Sequence, residues 1–265
     1  MALKANKQTM KKQGKIGIGP FAELLTLSRL PVKGPLKDTQ LEIISGAGLI
    51  IESGRVAEVA DFQSVKLFCQ KENIPLEYLE EPQVALPAFI DAHTHICFGG
   101  SRAGDYAKRV GGKSYLEIAR EGGGIWDTVK KTRSASLEEL EQGLKERIAF
   151  LSTLGIATVE VKSGYGLTVE DELKMLEAIR NVDRESPIDL IPTCLPAHIV
   201  PKDFSGNAGQ YIDYLLNDFF PIVQEKQLSN RADIFVEDTA FDIPEAKIYL
   251  GELKKRGFEL TIHAD

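Results

Sequence analysis

From residue 84 onward, short apolar segments alternate with amphipathic helical stretches, and this alternation constrains the fold more than any other feature. Five apolar segments have the length and composition of buried strands: 84–90, 156–161, 188–192, 233–236 and 258–262. Apolar strands joined by helices are typical of parallel sheets, because a helix must carry the chain back between neighbouring strands. The sequence therefore predicts an α/β fold built of βα units.

The predicted helices between these strands have recognisable ends. Ser136 and Glu139 have the spacing of a capping box, and Gly155 fits the end of the same helix. Thr168 suits the start of a second helix, and Pro244 suits the first turn of a third. These end signals make the helical segments distinct from the strands.

Two architectures accommodate five such strands. A TIM-like (β/α)₈ barrel needs eight strands and typically about 250 residues, so residues 85–265 would hold its first part. An open doubly wound sheet needs no further strands and is the alternative, although no G-x-G-x-x-G follows the first strand. We predict the barrel, with about five of its eight strands present.

Residues 1–84 differ in character and read as short strands and turns. The segments 41–44 and 48–52 are β-like, and 52–56 has the turn residues of a hairpin. We expect a small β-sandwich-like module that is incomplete by itself. The domain boundary is predicted between residues 84 and 85.

Charge and cysteine content restrict the partners and the compartment. The formal net charge of −7 argues against a nucleic-acid binder, which needs a basic surface for phosphates. The three cysteines, Cys69, Cys97 and Cys194, form neither a disulfide framework nor a paired zinc motif, which favours a reducing compartment such as the cytoplasm. No segment approaches the roughly 20 apolar residues of a membrane helix, and the basic N-terminus is interpreted as a solvated tail.

All four histidines lie at or just beyond the end of a predicted strand: His93, His95, His198 and His263. The carboxyl ends of barrel strands are where active sites form. In an extended strand, residues i and i+2 point to the same face with their Cα atoms roughly 6.5–7 Å apart. His93 and His95 can therefore bind one metal ion together, and imidazole accepts zinc or iron.

The remaining histidines complete this hypothesis. His263 supplies a third nitrogen, since a catalytic zinc takes three or four protein ligands and one open position. Asp91 and Thr94 are near enough in sequence to orient the rings of the first pair. His198 can ligate the metal or contact the substrate; we favour the substrate, or a hydrogen bond to the reacting carbonyl, because three ligands are already assigned.

Glycine-rich loops present further candidates. Arg102 follows Gly99-Gly100 and can hold a substrate carboxylate through its planar guanidinium. Tyr165, with glycine on both sides, either projects into the site or packs under its loop. The Gly122–Gly124 run either lets the backbone come close to a ligand or is a flexible link. A carboxylated Lys162 bridging metals is disfavoured.

Several of these segments resemble a known family. The run Ile90-Asp91-Ala92-His93-Thr94-His95 is similar to the metal motif of the amidohydrolase superfamily. Five further segments, in this order, resemble imidazolonepropionases and are specific to that family: 98–102, 112–115, 162–167, 197–201 and 262–265. The resemblance covers residue 84 to the last residue and implies an amidohydrolase-type barrel.

The resemblance also implies the site and the reaction. One zinc or iron ion would be bound by three residues: His93, His95 and His263. The small-molecule substrate would be held by four residues: Arg102, Tyr115, Tyr165 and His198. Arg102 would lie near the propionate of 4-imidazolone-5-propanoate, whose cyclic amide is hydrolysed to N-formimidoyl-L-glutamate during histidine breakdown, with His198 assisting catalysis. A homodimer is the expected state of the full-length protein.

In the family, a carboxylate base follows the third histidine closely, and a further histidine and a metal-binding aspartate come from later strands. These would lie beyond Asp265, so we expect an N-terminal portion of a longer enzyme. Two alternatives stay open. One is another amidohydrolase-type cyclic amidase or nucleobase deaminase, which would not need the carboxylate anchor of Arg102. The other is a truncated, catalytically inactive chain that binds metal or a partner.

Overall fold

A computed structural model describes residues 14–31, 33–237 and 239–264, apart from the side chains of Tyr115, Leu116 and Ala119. The chain forms two compact units, one ending at Phe89 and the other beginning at Ile90. None of the helices in these described ranges has the length and apolar composition that a bilayer crossing requires.

The N-terminal unit is a five-stranded sheet of order β3-β2-β1-β4, in which β5 also pairs with β1. Its elements are β1 (Ile16–Leu25), β2 (Ile43–Glu52), β3 (Arg55–Asp61), α1 (Phe62–Glu72), β4 (Leu76–Tyr78) and β5 (Val84–Ala85). The predicted hairpin is confirmed: Glu52 pairs with Arg55 across Ser53 and Gly54, which both have positive φ, as a type I′ turn requires.

Helix α1 was not predicted from the sequence. Asp61 accepts a hydrogen bond from the Ser64 amide and so caps its first turn. Phe62, Val65 and Cys69 form its buried face, at the i, i+3 and i+7 positions of a helix. The described part of this unit is therefore one sheet with one α-helix and a 3-10 turn at Asp38–Gln40, and the β-sandwich-like interpretation of the module stays a prediction.

The second unit contains a parallel sheet of order β6-β7-β8-β9-β10, with β11 also pairing with β9. Its strands are β6 (Phe89–Asp91), β7 (Ile156–Lys162), β8 (Asp189–Ala197), β9 (Arg231–Val236), β10 (Glu259–Leu260) and β11 (His263–Ala264). Neighbouring strands follow one another in sequence, as in a barrel, whereas a doubly wound sheet reverses its order near the middle. The predicted barrel type is confirmed over the strands present.

Two predicted strands are each divided in the structure. Segment 84–90 contributes β5 to the first sheet and β6 to the second, with Pro87 between them, because proline has no N–H to donate to a ladder. Segment 258–262 ends early at β10, and β11 follows after residues 261–262. Both divisions depend on pairing with distant strands.

Helices fill the connections of the second unit: α2 (Ala103–Val110), α3 (Tyr115–Arg120), α4 (Ile125–Ser134), α5 (Leu137–Thr153), α6 (Val169–Glu185), α7 (Ala208–Tyr214), a π-helical turn (Leu215–Phe219), α8 (Phe220–Glu225) and α9 (Ile243–Lys255). The predicted capping box of α5 is confirmed, because Ser136 and Glu139 bond reciprocally. Thr168 caps α6 and Pro244 lies in the first turn of α9, as predicted. Buried side chains such as Leu144, Leu176 and Val161 form the core between helices and sheet.

Candidate metal centre

The histidines lie at the carboxyl ends of the parallel strands. His93 and His95 follow β6, His198 follows β8 directly, and His263 begins β11. Parallel strands that are neighbours in the sheet bring these ends together, so residues far apart in sequence meet. The His93 and His95 rings lie 5.5 Å apart, and His198 stacks on His95 at 5.3 Å.

Three of these histidines converge on one point. His93, His95 and His263 each offer one ring nitrogen, and these nitrogens lie within 4.8 Å of one another. His95 Nε2 and His263 Nε2 are 3.0 Å apart, and the His93 and His263 ring centres are 4.3 Å apart. The three residues selected from the sequence as ligands are thus brought together, with His263 contributed by a strand 168 residues after His95.

A carboxylate that the sequence analysis did not select holds His263 in place. His263 Nδ1 lies 2.6 Å from Asp233 Oδ2, on the neighbouring strand β9. The carboxylate can only accept, so Nδ1 donates to it, and Nε2 points toward the other histidines. A carboxylate behind a ligating histidine is the usual support of a metal-binding imidazole.

Asp233 belongs to a buried ion group with Lys162 and Glu160. Lys162 Nζ donates to Asp233 Oδ2 and to Glu160 Oε1, both at 2.8 Å, and all three side chains are at most 6% exposed. Thr193 donates to Glu160 Oε1 at 2.7 Å. Burial raises the pKa of Asp233, but the hydrogen bonds from His263 and Lys162 outweigh it and hold that pKa at about 2. Asp233 is therefore an anion at neutral pH.

The donor set fits a zinc- or iron-type ion. At Zn–N distances of about 2.0–2.1 Å, two nitrogens on one tetrahedral ion lie roughly 3.3–3.4 Å apart, close to the 3.0 Å between His95 Nε2 and His263 Nε2. Burial is the main reason that the pKa of His95 is lowered to about 3. Burial also lowers the pKa of His93. Both rings are therefore neutral near pH 7, which is the form that ligates a metal.

The expectation that Asp91 and Thr94 orient the histidine rings is not supported by their hydrogen bonds. Asp91 Oδ1 accepts from the backbone amide of His93 at 3.3 Å. Thr94 Oγ1 donates to the backbone carbonyl of Glu160 at 2.5 Å. Both bonds fix the chain that carries the histidines, whereas the ring of His263 is oriented from β9.

His198 is 8% exposed and has a defined tautomer. Its Nδ1 lies 2.8 Å from the carbonyl oxygen of Gly164, which can only accept, so Nδ1 donates. Burial, the largest influence, lowers the pKa of His198 to about 4. The neutral ring therefore presents Nε2 as an acceptor, which differs from the expected donation to a substrate carbonyl.

Tyr165 lies beside the histidines. Its ring centre is 5.9 Å from His95 and 5.4 Å from His198. The loop that carries it wraps around the buried carboxylate of Glu172, which accepts from the amides of Gly164, Gly166 and Leu167. Tyr165 is thus placed against the site rather than packed beneath its loop alone.

Replacing Gly164 with alanine is expected to destabilise the protein by roughly 1–3 kcal/mol, because its φ of +105° strains other residues. An added Cβ would also lie 2.8 Å from the Leu195 carbonyl oxygen and 3.1 Å from His198 Nδ1. Urea denaturation measures the loss. Gly251→Ala is the matched control: no atom lies within 4 Å of its Cβ position in α9, so it should gain up to about 1 kcal/mol. Equal effects of the two substitutions would refute the steric argument.

Of the other residues expected to hold the substrate, Arg102 is described in full and Tyr115 only in its backbone. Arg102 is the residue before α2, and its Nε donates to Asp105 Oδ2 at 3.0 Å. Gly124 also donates to Asp105, and Gly123 packs closely against it, so the glycine run makes a tight approach. Tyr115 begins α3, but its side chain lies outside the described residues, as does Asp265.

Sequence comparison finds curated relatives that carry the name of one enzyme. No protein-family model matches the chain. It is 43% identical over 183 residues to the imidazolonepropionase of Streptococcus pyogenes serotype M18 (strain MGAS8232), covering 69% of this chain and 44% of that protein. The imidazolonepropionase of serotype M49 (strain NZ131) is 42% identical over the same length and coverage. The chain spans less than half the length of these curated relatives.

Solved structures agree on the fold. The chain matches E. coli guanine deaminase with a TM-score of 0.59 at 13% identity, covering 95% of this chain and 53% of the other. It matches A. niger ochratoxinase with a TM-score of 0.56 at 12% identity, covering 95% and 55%. Both are amidohydrolase-type barrels, and at this identity the likeness shows the fold alone. The resemblance to imidazolonepropionases that the sequence motifs indicated is confirmed by the curated relatives.

Proposed function

We propose that this chain provides the metal-binding part of an imidazolonepropionase, which hydrolyses the cyclic amide of 4-imidazolone-5-propanoate to N-formimidoyl-L-glutamate. One observation carries the proposal: His93, His95 and His263 converge within a chain that is 43% identical to a curated imidazolonepropionase. The proposed cofactor is a single zinc or iron ion. The three free, buried cysteines fit the proposed cytoplasmic location, and a homodimer is proposed for the full-length enzyme.

A bound zinc or iron ion would supply Lewis-acid chemistry, making water nucleophilic at neutral pH and polarising the carbonyl that is attacked. The three histidines would hold the ion in their neutral form. Asp233 would keep the proton of His263 on Nδ1, so that Nε2 always faces the ion. Lys162 would keep Asp233 ionised and therefore able to perform that task.

His198 and Tyr165 would position the substrate ring. With its proton held by the Gly164 carbonyl, His198 presents an acceptor to a ring N–H of the imidazolone. Tyr165 lies beside the same imidazole and offers an aromatic face to a planar ring. The two rings would thus orient the cyclic amide over the histidine cluster.

Arg102 would bind the propionate. Replacing it with alanine is expected to raise KM roughly 10–100-fold with a smaller effect on kcat, because a charge-assisted hydrogen-bond pair contributes about 1.5–3 kcal/mol. Steady-state kinetics with 4-imidazolone-5-propanoate measures this. Arg184→Ala, at the end of α6, is the control and should leave KM unchanged. An unchanged KM in the Arg102 variant would exclude the propionate assignment.

The proposed reaction is tested by turnover of the metal-loaded full-length protein that contains this chain. We expect loss of the imidazolone chromophore and appearance of N-formimidoyl-L-glutamate by mass spectrometry. Guanine and cytosine are offered in parallel, because deamination of either would support the nucleobase alternative. A chain that binds metal but turns over none of the three would support the inactive, metal-binding alternative.

A further inference from the structure

Arg133, at the carboxyl-terminal end of helix α4, holds two loops that border the histidine site. Its Nε donates to the carbonyl oxygen of Gly166 at 2.7 Å, in the loop after β7. Its Nη1 and Nη2 donate to the carboxylate of Asp203 at 2.5 and 3.4 Å, in the loop after β8. One planar guanidinium therefore joins three successive βα connections.

Each of these two loops carries one aromatic side chain of the histidine site, Tyr165 or His198. Gly166 is the residue after Tyr165, and Asp203 lies five residues after His198. The Tyr165 and His198 ring centres are 5.4 Å apart, and the two loops also meet where His198 Nδ1 bonds to the Gly164 carbonyl. The relative position of the two rings therefore depends on how the loops are held together.

The loop after β7 is fixed from two sides. On the inside, the buried carboxylate of Glu172 accepts from the backbone amides of Gly164, Gly166 and Leu167. On the outside, Arg133 takes the carbonyl of Gly166. The Glu172 bonds bind this loop to α6, and the Tyr211 hydroxyl on α7 lies within hydrogen-bond distance of the Leu167 and Pro196 carbonyls. Arg133 binds the loop to Asp203, in the loop after β8. A lysine carries its three N–H donors on a single nitrogen, so it cannot reproduce the planar fork that reaches both loops.

The Trp126 ring lies next to the Arg133 guanidinium, so its fluorescence is sensitive to the position of that side chain. The guanidinium of Arg133 lies 5.4 Å from the Trp126 ring centre, and Lys202 Nζ lies 5.8 Å from the same ring. The Arg133 side chain is 19% exposed, so it is held between the ring and the loops. Trp126 is the single tryptophan of the chain, so its fluorescence monitors this one place.

We propose that Arg133 is a positioning residue that sets the spacing of Tyr165 and His198 by tying their two loops together. The hydrogen bonds carry this inference, while its consequence for substrate binding rests on the proposed function. The guanidinium makes no contact with the reacting atoms in this scheme. It acts through the two rings.

Hydrogen exchange of the whole chain tests the tie directly. In Arg133→Ala, the amides of 163–167 and 199–206 should exchange at least about tenfold faster, while those of β7 and β8 stay unchanged. Trp126 emission should become more accessible to a neutral quencher. Arg133→Lys should restore little of either. Asp203→Asn should loosen 199–206 more than 163–167, because the Gly166 bond persists.

Arg180→Ala is the matched control, since this arginine on α6 donates to the Lys226 carbonyl at 3.4 Å. It should change neither loop nor the Trp126 signal. Unchanged exchange of both loops in Arg133→Ala would overturn the inference, and so would acceleration spread evenly over the whole unit. If the protein turns over the substrate, Arg133→Ala should raise KM by a factor roughly ten times larger than the factor by which it lowers kcat. If the wild-type chain turns over nothing, exchange and fluorescence still decide the inference, and only the proposed function fails.

Discussion

Replacing Lys162 with methionine should destabilise the protein by about 3–5 kcal/mol, because it leaves two buried carboxylates without their cation. Lys162 Nζ bonds to both Asp233 and Glu160 at 2.8 Å, and its side chain is 1% exposed. Methionine fills a similar volume, so the loss would come from charge rather than from a cavity. Urea denaturation of the metal-free chain measures it, since no metal binding then contributes.

Lys145→Met is the control for this substitution. Lys145 pairs with Glu185 at 2.8 Å, but both side chains are well exposed. Exposed ion pairs contribute little, so the control should change the free energy of unfolding by less than about 1 kcal/mol. If Lys162→Met costs no more than Lys145→Met, the buried group is not a stabilising unit and the account of Asp233 ionisation is wrong.

Replacing Asp233 with asparagine should weaken metal binding about 10–100-fold, the usual effect of removing a carboxylate behind a ligating histidine. Asparagine can still accept from His263 Nδ1, but it is neutral and offers a competing N–H. The imidazole would then be a weaker donor and its tautomer less firmly fixed. Competition with a chromophoric zinc chelator measures the dissociation constant.

The control is Asp213→Asn, an exposed aspartate on α7 that removes the same charge elsewhere. Its zinc affinity should equal that of the wild type. A metal affinity for Asp233→Asn within twofold of the wild type would show that His263 does not depend on β9 for its orientation. Comparable weakening in both variants would instead indicate a general effect of net charge.

Local patterns were sufficient to predict most of the second unit. Helix caps at Ser136 and Thr168 and apolar runs such as 156–161 are encoded by adjacent residues, and the structure confirms them. The division of 84–90 between two sheets was not predictable in this way, because it depends on which distant strand pairs with each half. Helix α1 was not predicted because only three of its eleven residues are buried, and its other residues are mostly polar.

The clustered histidines were predictable as candidate ligands because each stands at or next to a strand end. Asp233 and Glu160 were not selected because each lies within a strand and reads as an ordinary alternating polar residue. One signal was present: both strands are apolar on each side of the charged residue, as in a sheet covered on both faces. A charge in such a strand requires a buried partner, and Lys162 is the available cation.

The convergence of His93, His95 and His263 is the centre of this account, and metal content tests it most directly. The 265-residue chain is stripped with a chelator, dialysed against zinc or iron and measured by elemental mass spectrometry. We expect about one tightly bound ion per wild-type chain, retention of that ion in His198→Ala, and its loss in His95→Ala. A wild-type chain that retains no metal, or a His95→Ala chain that retains as much as the wild type, would contradict it.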